Sequence, residues 1–104
     1  MLIYKYRPEE KDKAVAITAG GTWSGNTEDI KGLCHQVYVK SASAGTVFDV
    51  TITDGHDIDV RKITGNTNIL NDLTPWVVSG IHTITISNAT ADEVFRVLLC
   101  FRTN

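Results

Sequence analysis

The chain has 104 residues, 42% of them hydrophobic and 21% charged, and ten basic against twelve acidic residues give a formal net charge of −2. This composition is ordinary for one globular domain and excludes a chain that is disordered throughout. Because the basic residues are scattered along the sequence and no apolar run is long enough to span a membrane, we expect neither nucleic acid nor a membrane as a partner.

The first twelve residues are predicted to form a short strand and a tethering arm. Leu2, Tyr4 and Tyr6 alternate with other residues, as in a strand, and Pro8 followed by mixed charges ends that run. This N-terminus lacks the long apolar core of a signal peptide. Residues 13–104 are predicted to form a single β-sandwich domain.

Residues 20–32 are rich in Gly, Ser, Asn and Thr and show no hydrophobic periodicity, so they are predicted to form a long loop. Trp23 lies in the middle of this loop. An exposed tryptophan there could stack on a sugar or anchor a protein interface. It could equally fold back and close one end of the sandwich.

Residues 33–41 are predicted to form a strand that places Leu33, His35, Val37 and Val39 on one face and Cys34, Gln36, Tyr38 and Lys40 on the other. Both cysteines, Cys34 and Cys100, lie in apolar runs, and their spacing matches no metal-binding motif. We therefore favour buried free thiols over a disulfide.

The clearest pattern is a hairpin over residues 46–63, where apolar and polar residues alternate on both sides of Asp54-Gly55. A three-residue turn, Asp54-Gly55-His56, brings apolar residues together on one face and opposite charges on the other. The predicted opposite pairs are Val50 with Val60, Ile52 with Ile58, and Asp49 with Arg61.

Residues 80–87 and 92–101 are predicted to form the last hairpin, in which Ile84 pairs with Val97, Ile86 with Phe95 and His82 with Leu99. The final strand is apolar on both faces, since Val94, Leu98 and Cys100 lie opposite its core-facing residues. The N-terminal arm or another subunit would have to cover that second face, which also includes Ile81.

No helical run of convincing length occurs. Seven to nine short strands with turn signals every 8–12 residues predict an all-β antiparallel sandwich, and the long crossing loop favours a jelly roll.

No residue cluster indicates an enzyme: the sequence lacks a nucleophile motif, a phosphate-binding glycine loop and an assignable pair of carboxylates. We expect no catalytic residue, metal or cofactor. The acidic cluster around His56 (Asp54, Asp57, Asp59) fits a soluble turn better than a calcium loop. His35 and His82 are expected to be core histidines with a backbone or hydroxyl partner.

With these strands placed, residues 32–102 resemble small β-proteins of tailed-bacteriophage virions. The motifs behind the resemblance are QVYVK, FDVTITDG, TGNT, GIHTITISNATADE and FRVLLCFR. The resemblance implies a jelly-roll protein of a virion, made in the host cytoplasm. Such proteins are capsid decoration (cement) proteins, or head–tail and fibre components, and are often trimers.

We therefore expect a structural protein that forms a homotrimer and binds the major capsid protein. Its interface is predicted to include exposed aromatic and apolar residues: Tyr4, Tyr6, Trp23, Ile81, Val94 and Leu98. The alternative is a carbohydrate-binding or receptor-binding module of a tail or fibre, with Trp23 and Tyr38 as stacking platforms.

Overall fold

The computed structural model of the chain describes residues 2–6, 15–27 and 29–103, of which residues 2–6 and 103 are described by their backbone alone. These residues form ten strands and no helix. The strands are β1 (Leu2–Tyr6), β2 (Val15–Ile17), β3 (Thr22–Asn26), β4 (Ile30–Ser41), β5 (Val47–Thr53), β6 (Asp59–Thr67), β7 (Ile69–Asp72), β8 (Trp76–Gly80), β9 (Thr83–Ser87) and β10 (Glu93–Thr103). Within these ranges there is accordingly no helix that could cross a membrane.

Two antiparallel sheets pack face to face. In the first sheet, β4 and β10 pair along most of their length, β1 and β2 extend the outer edge of β10, and β7 and β8 extend that of β4. The second sheet has the order β3-β9-β5-β6. The predicted antiparallel β-sandwich is thus confirmed, and its assignment to the jelly-roll class stays a prediction.

The core lies between the sheets and is built from alternate residues of each strand. The fully buried side chains include Phe48, Ile52 and Ile84 from the second sheet and Phe95 and Leu99 from the first. The rings of Phe48 and Phe95 meet edge to face with centroids 4.9 Å apart, the arrangement that aromatic quadrupoles favour.

The central hairpin exists, but its predicted register is wrong. Val50 lies opposite Ile63 and Ile52 opposite Arg61, with bulges on both sides, so neither the predicted apolar pairs nor the Asp49–Arg61 pair forms. The turn is longer than the three residues predicted, because the Asp54 side chain binds backbone N–H groups across it. The Asp54 Oδ1 atom accepts the N–H groups of His56 and Ile58 at 2.8 and 3.0 Å, which leaves Ile58 59% exposed.

The predicted pairing of the last two strands is also wrong. β9 pairs with β3 and β5 in the second sheet, whereas β10 belongs to the first, so His82 does not face Leu99 across a hairpin. Asn88, at a φ of 56°, lies in the connection that leads from one sheet to the other. Because a sandwich buries the inner face of both sheets, alternation in two successive strands does not distinguish strands side by side from strands face to face.

Two further local predictions need correction. The predicted loop 20–32 contains β3 and the start of β4, since Thr22–Asn26 pairs with β9 and Ile30 pairs with Gly80. In β4, a bulge at His35 puts Cys34 opposite Phe101 and Gln36 opposite Cys100. The extra residue reverses the alternation, so Cys34 is buried on the same face as Val37.

Arg61 joins the two sheets at one edge of the sandwich. Lying opposite the buried Ile52, it extends from β6 toward the first sheet, where its Nε atom is 3.5 Å from the Asp72 carboxylate. Its guanidinium lies 4.8 Å from the centroid of Trp76 and donates to the Thr74 carbonyl at 3.3 Å. This cation therefore links β6 of the second sheet to β7 and β8 of the first.

Replacing this cation should weaken the fold. We expect Arg61→Met to lower the free energy of unfolding by about 1–2 kcal/mol, because the cation–π contact and the ion pair with Asp72 are both lost. Urea denaturation measures the change, and Lys62→Met, an exposed neighbour on the same strand, is the control. Equal losses in the two variants would show that Arg61 does not join the sheets.

Both cysteines are buried and free, as predicted. Cys34 is fully buried, and burial raises the pKa of its thiol to about 12. Cys100 lies on the outer face of β10 but is only 3% exposed. We expect neither thiol to react with a thiol reagent at pH 8 in the folded protein, because burial shields both sulfur atoms. The raised pKa of Cys34 also keeps that group from forming the reactive thiolate.

Denaturation without a reductant should then release two titratable thiols for each chain. The measurement is absorbance with an aromatic disulfide reagent before and after adding guanidinium. Fewer than two thiols in the denatured protein, or a fast-reacting thiol in the folded one, would contradict this assignment.

Candidate interaction surfaces

The outer face of the first sheet carries most of the positive charge that the structure describes. Strands β4, β7, β8 and β10 bury one set of residues and turn the alternate set outward. Of the six basic side chains described, four lie on this face: Lys31, Lys40, Arg96 and Arg102. None of the outward residues described on these four strands is acidic. Basic residues that are scattered in the sequence therefore lie together on one face of the folded chain.

Lys40 and Arg96 lie directly opposite each other on β4 and β10. No ion pair involves either residue within the described part of the chain. The next position across the sheet from Lys40 is Ile69, which is 43% exposed, and Val94 beside Arg96 is 44% exposed. We call this group, with Leu98, the basic–apolar patch. It combines these two cations with aliphatic side chains, of which Ile69 and Val94 are exposed and Leu98 is half-buried.

The opposite charges gather at one end of the sandwich. Asp29, Asp54 and Asp57 line a shallow depression together with the exposed Ile81. The hydrogen bonds of the 54–58 turn hold Asp54 in place and keep its pKa below the usual value. Asp29 and Asp57 are exposed at the rim. We call this group, with Ile58, the acidic end.

Glu93, at the other end of the sandwich, is buried and anchors the loop between β4 and β5. One carboxylate oxygen accepts the Thr46 hydroxyl at 2.6 Å and the Ser43 N–H at 3.1 Å, and the other accepts the Val94 N–H at 2.9 Å. These bonds, the Thr46 hydroxyl first, lower the pKa of Glu93 to about 2. The ionised Glu93 carboxylate therefore stabilises this loop, which is a structural role.

The hydrogen bonds of the ionised Glu93 predict that the folded protein loses stability in acid. Because the pKa of Glu93 is about 2 in the folded chain and 4.5 in its ordinary state, its contribution is complete above pH 4.5 and is lost as the pH falls toward 2. Glu93→Gln should cost about 2 kcal/mol at neutral pH and should flatten the stability curve between those two values.

Urea denaturation at a series of pH values measures this effect, with Asp57→Asn as a control that removes an exposed carboxylate from the other end. If wild type and Glu93→Gln lose stability in parallel as the pH falls, Glu93 is not the group responsible.

The structure separates the residues predicted to form one interface. Val94 and Leu98 share the outer face of β10, whereas Ile81 lies at the acidic end. Trp23 is half-buried on the inner side of β3, where its ring lies over Gly25 and packs against the core. This position supports the alternative in which Trp23 folds back onto the sandwich. The side chains of Tyr4 and Tyr6 lie outside the described part. Their strand extends the sheet beside β10 and does not cover its outer face.

Trp23 and Tyr38 do not form one sugar-stacking platform, because Trp23 faces the core from the second sheet and Tyr38 faces outward from the first. His82 is a buried histidine, as predicted, with its ring Nδ1 atom 3.2 Å from the Gly80 carbonyl. His35 is instead half-buried at the β4 bulge. In residues 15–27 and 29–102 no His, Cys, Asp or Glu residues group as metal ligands would.

Sequence reasoning missed Lys40 and Arg96, although both stand at polar positions of alternating strands. With β10 paired to β9 in the predicted register, nothing brought the two cations together. That signal becomes visible once β4 and β10 are known to be neighbours.

No family model matches the sequence, and no curated protein is significantly similar to it. Solved structures with a similar fold do exist. The Yersinia pseudotuberculosis-derived mitogen has a TM-score of 0.55 at 11% identity, covering 99% of this chain and 87% of the mitogen.

Two larger proteins contain a similar part. Infectious bursal disease virus VP2, in its subviral particle, has a TM-score of 0.54 at 16% identity, covering 95% of this chain and 31% of VP2. A family GH115 4-O-methyl-α-glucuronidase has a TM-score of 0.51 at 14% identity, covering 97% of this chain and 18% of the enzyme. What this chain shares with these proteins is the β-sandwich fold.

Proposed function

We propose that this chain is a non-enzymatic structural protein of a virion, a capsid decoration protein that acts by burying the outer face of its first sheet in an assembly. The observation that carries the proposal is the character of that face. Aliphatic side chains stand exposed on it among basic residues, whereas the outward residues of the second sheet are mostly threonine, serine and short polar groups.

The exposure on this face exceeds what the fold requires. Val77 is 80% exposed beside Leu33 on the neighbouring strand, and Ile69 and Val94 are each more than 40% exposed. Exposed apolar groups that share one face are typical of protein interaction sites, because burying them in a partner removes apolar surface from water. The face is therefore suited to assembly.

Its size is also sufficient. The described chain measures 40 × 28 × 21 Å along its principal axes. A stable interface needs about 800 Å² from each partner, which a sheet face spanning the two longer dimensions can supply.

The resemblance to phage virion proteins directs the proposal toward a virion. In addition, the same sandwich fold occurs in a viral protein that forms a subviral particle. A trimer seated on the major capsid protein is the assembly that the resemblance favours.

The test is incorporation into particles of the virus that encodes the chain. Leu98 is half-buried at the centre of the face, so Leu98→Asp would place an unpaired carboxylate in a desolvated interface. We expect the variant to fold, as shown by circular dichroism, but to be absent from purified particles, whereas wild type co-sediments with them.

Thr51→Asp is the matched control, because Thr51 is half-buried on the outer face of the second sheet. It should co-sediment like wild type. The proposal fails if wild type does not co-sediment with particles, or if Leu98→Asp co-sediments at the wild-type level.

A further inference from the structure

We infer that the basic–apolar patch of one copy binds the acidic end of a second copy, so that the chain self-associates through two different surfaces. The inference rests on the proposed function in one respect, namely that the outer face of the first sheet is an assembly surface. It adds the identity of the partner and the geometry of the contact.

The basic–apolar patch contains a like-charged pair. Lys40 and Arg96 are direct cross-strand neighbours, and like charges at that position destabilise a sheet. Neither has an ion-pair partner within the described residues, and Ser41, Ala42 and Val94 line an open depression between them. An anionic partner seated there would offset the repulsion.

The molecule also carries a surface that is complementary to the patch. The acidic end presents Asp29 and Asp57 beside the exposed Ile58 and Ile81, which are 59% and 51% exposed. Both surfaces thus combine charge of one sign with aliphatic groups, so one contact can bury apolar area and pair opposite charges.

The basic–apolar patch and the acidic end lie far apart on one molecule. Lys40 lies near the last residue of β4, whereas Asp29 precedes its first residue, so the two are separated by the length of that strand. At about 3.3 Å per residue this is about 30 Å or more. Because charges in water are screened within about 8 Å at physiological ionic strength, the patch and the acidic end do not satisfy each other within one molecule.

The same charges restrict the symmetry. A two-fold contact centred on the basic–apolar patch would place cation against cation. A patch that meets the acidic end of another copy can do so reciprocally in a two-fold dimer or head to tail, and a head-to-tail contact forms a closed ring when the rotation between copies closes. A trimeric ring is one such closure.

Complementation between two defective variants tests this arrangement. The basic-face variant carries Lys40→Gln and Arg96→Gln, and the acidic-end variant carries Asp29→Asn and Asp57→Asn. All four positions are exposed, and asparagine tolerates the φ of 61° at position 57. Circular dichroism and thermal melting of each variant establish that it folds, and the single neutral variants Arg96→Gln and Asp29→Asn provide a milder pair.

In sedimentation velocity, wild type should associate, and its association should weaken at least about tenfold between about 50 and about 500 mM salt. Each variant alone should be monomeric. An equimolar mixture should form dimers that grow no further, because only one intact patch and one intact acidic end remain per pair. Lys62→Glu, an exposed basic position on the second sheet, should associate like wild type.

The inference is overturned if the mixture stays monomeric, if the acidic-end variant self-associates like wild type, or if wild type is a monomer at high concentration. Its failure is separable from that of the proposed function. If wild type is monomeric in solution but enters particles, the outer face binds another acidic protein and only the self-association is wrong. If the two variants associate with each other but wild type never enters particles, only the virion role is wrong.

Discussion

The pairing of β4 with β10 is the contact on which the rest of the structure depends. These two long strands form the centre of the first sheet, and their inward residues, among them Val37, Val39 and Val97, supply much of one side of the core. Each strand is too long for one short neighbour, so two strands share its outer edge. The second sheet packs over the inner face of the first, and Arg61 contacts both sheets at one edge.

The same pairing creates the charge distribution. Lys40 and Arg96 are distant in sequence and become neighbours only because β4 and β10 run antiparallel in one register. The turn after β5 places Asp54 and Asp57 at the far end of the sandwich, away from them. A chain with a formal net charge of −2 thereby acquires a basic face and an acidic end. Net charge alone says little about which partner such a surface binds.

Carboxylate side chains stabilise the turns and loops between the strands. Asp54 closes one turn, and Glu93 binds the loop of Ser43 and Thr46 at the other end. Asp49 accepts the Gly65 N–H at 2.9 Å and the Asn88 amide at 2.8 Å, which lowers its pKa. These carboxylates give an acceptor to backbone N–H groups that lie outside the regular strand ladders. The three acidic residues therefore have a structural role.

The sequence by itself determined the fold class, the absence of helix among the residues described and the strand faces of β5 and β9, because period-2 alternation is a local property of the backbone. It also indicated the buried thiols. Only the tertiary structure decided which strands are neighbours: β10 pairs with β4 and not with β9, and Ile52 lies opposite Arg61. Pairing depends on contacts between distant segments and on bulges that shift the register by one residue, and neither leaves a trace in local periodicity.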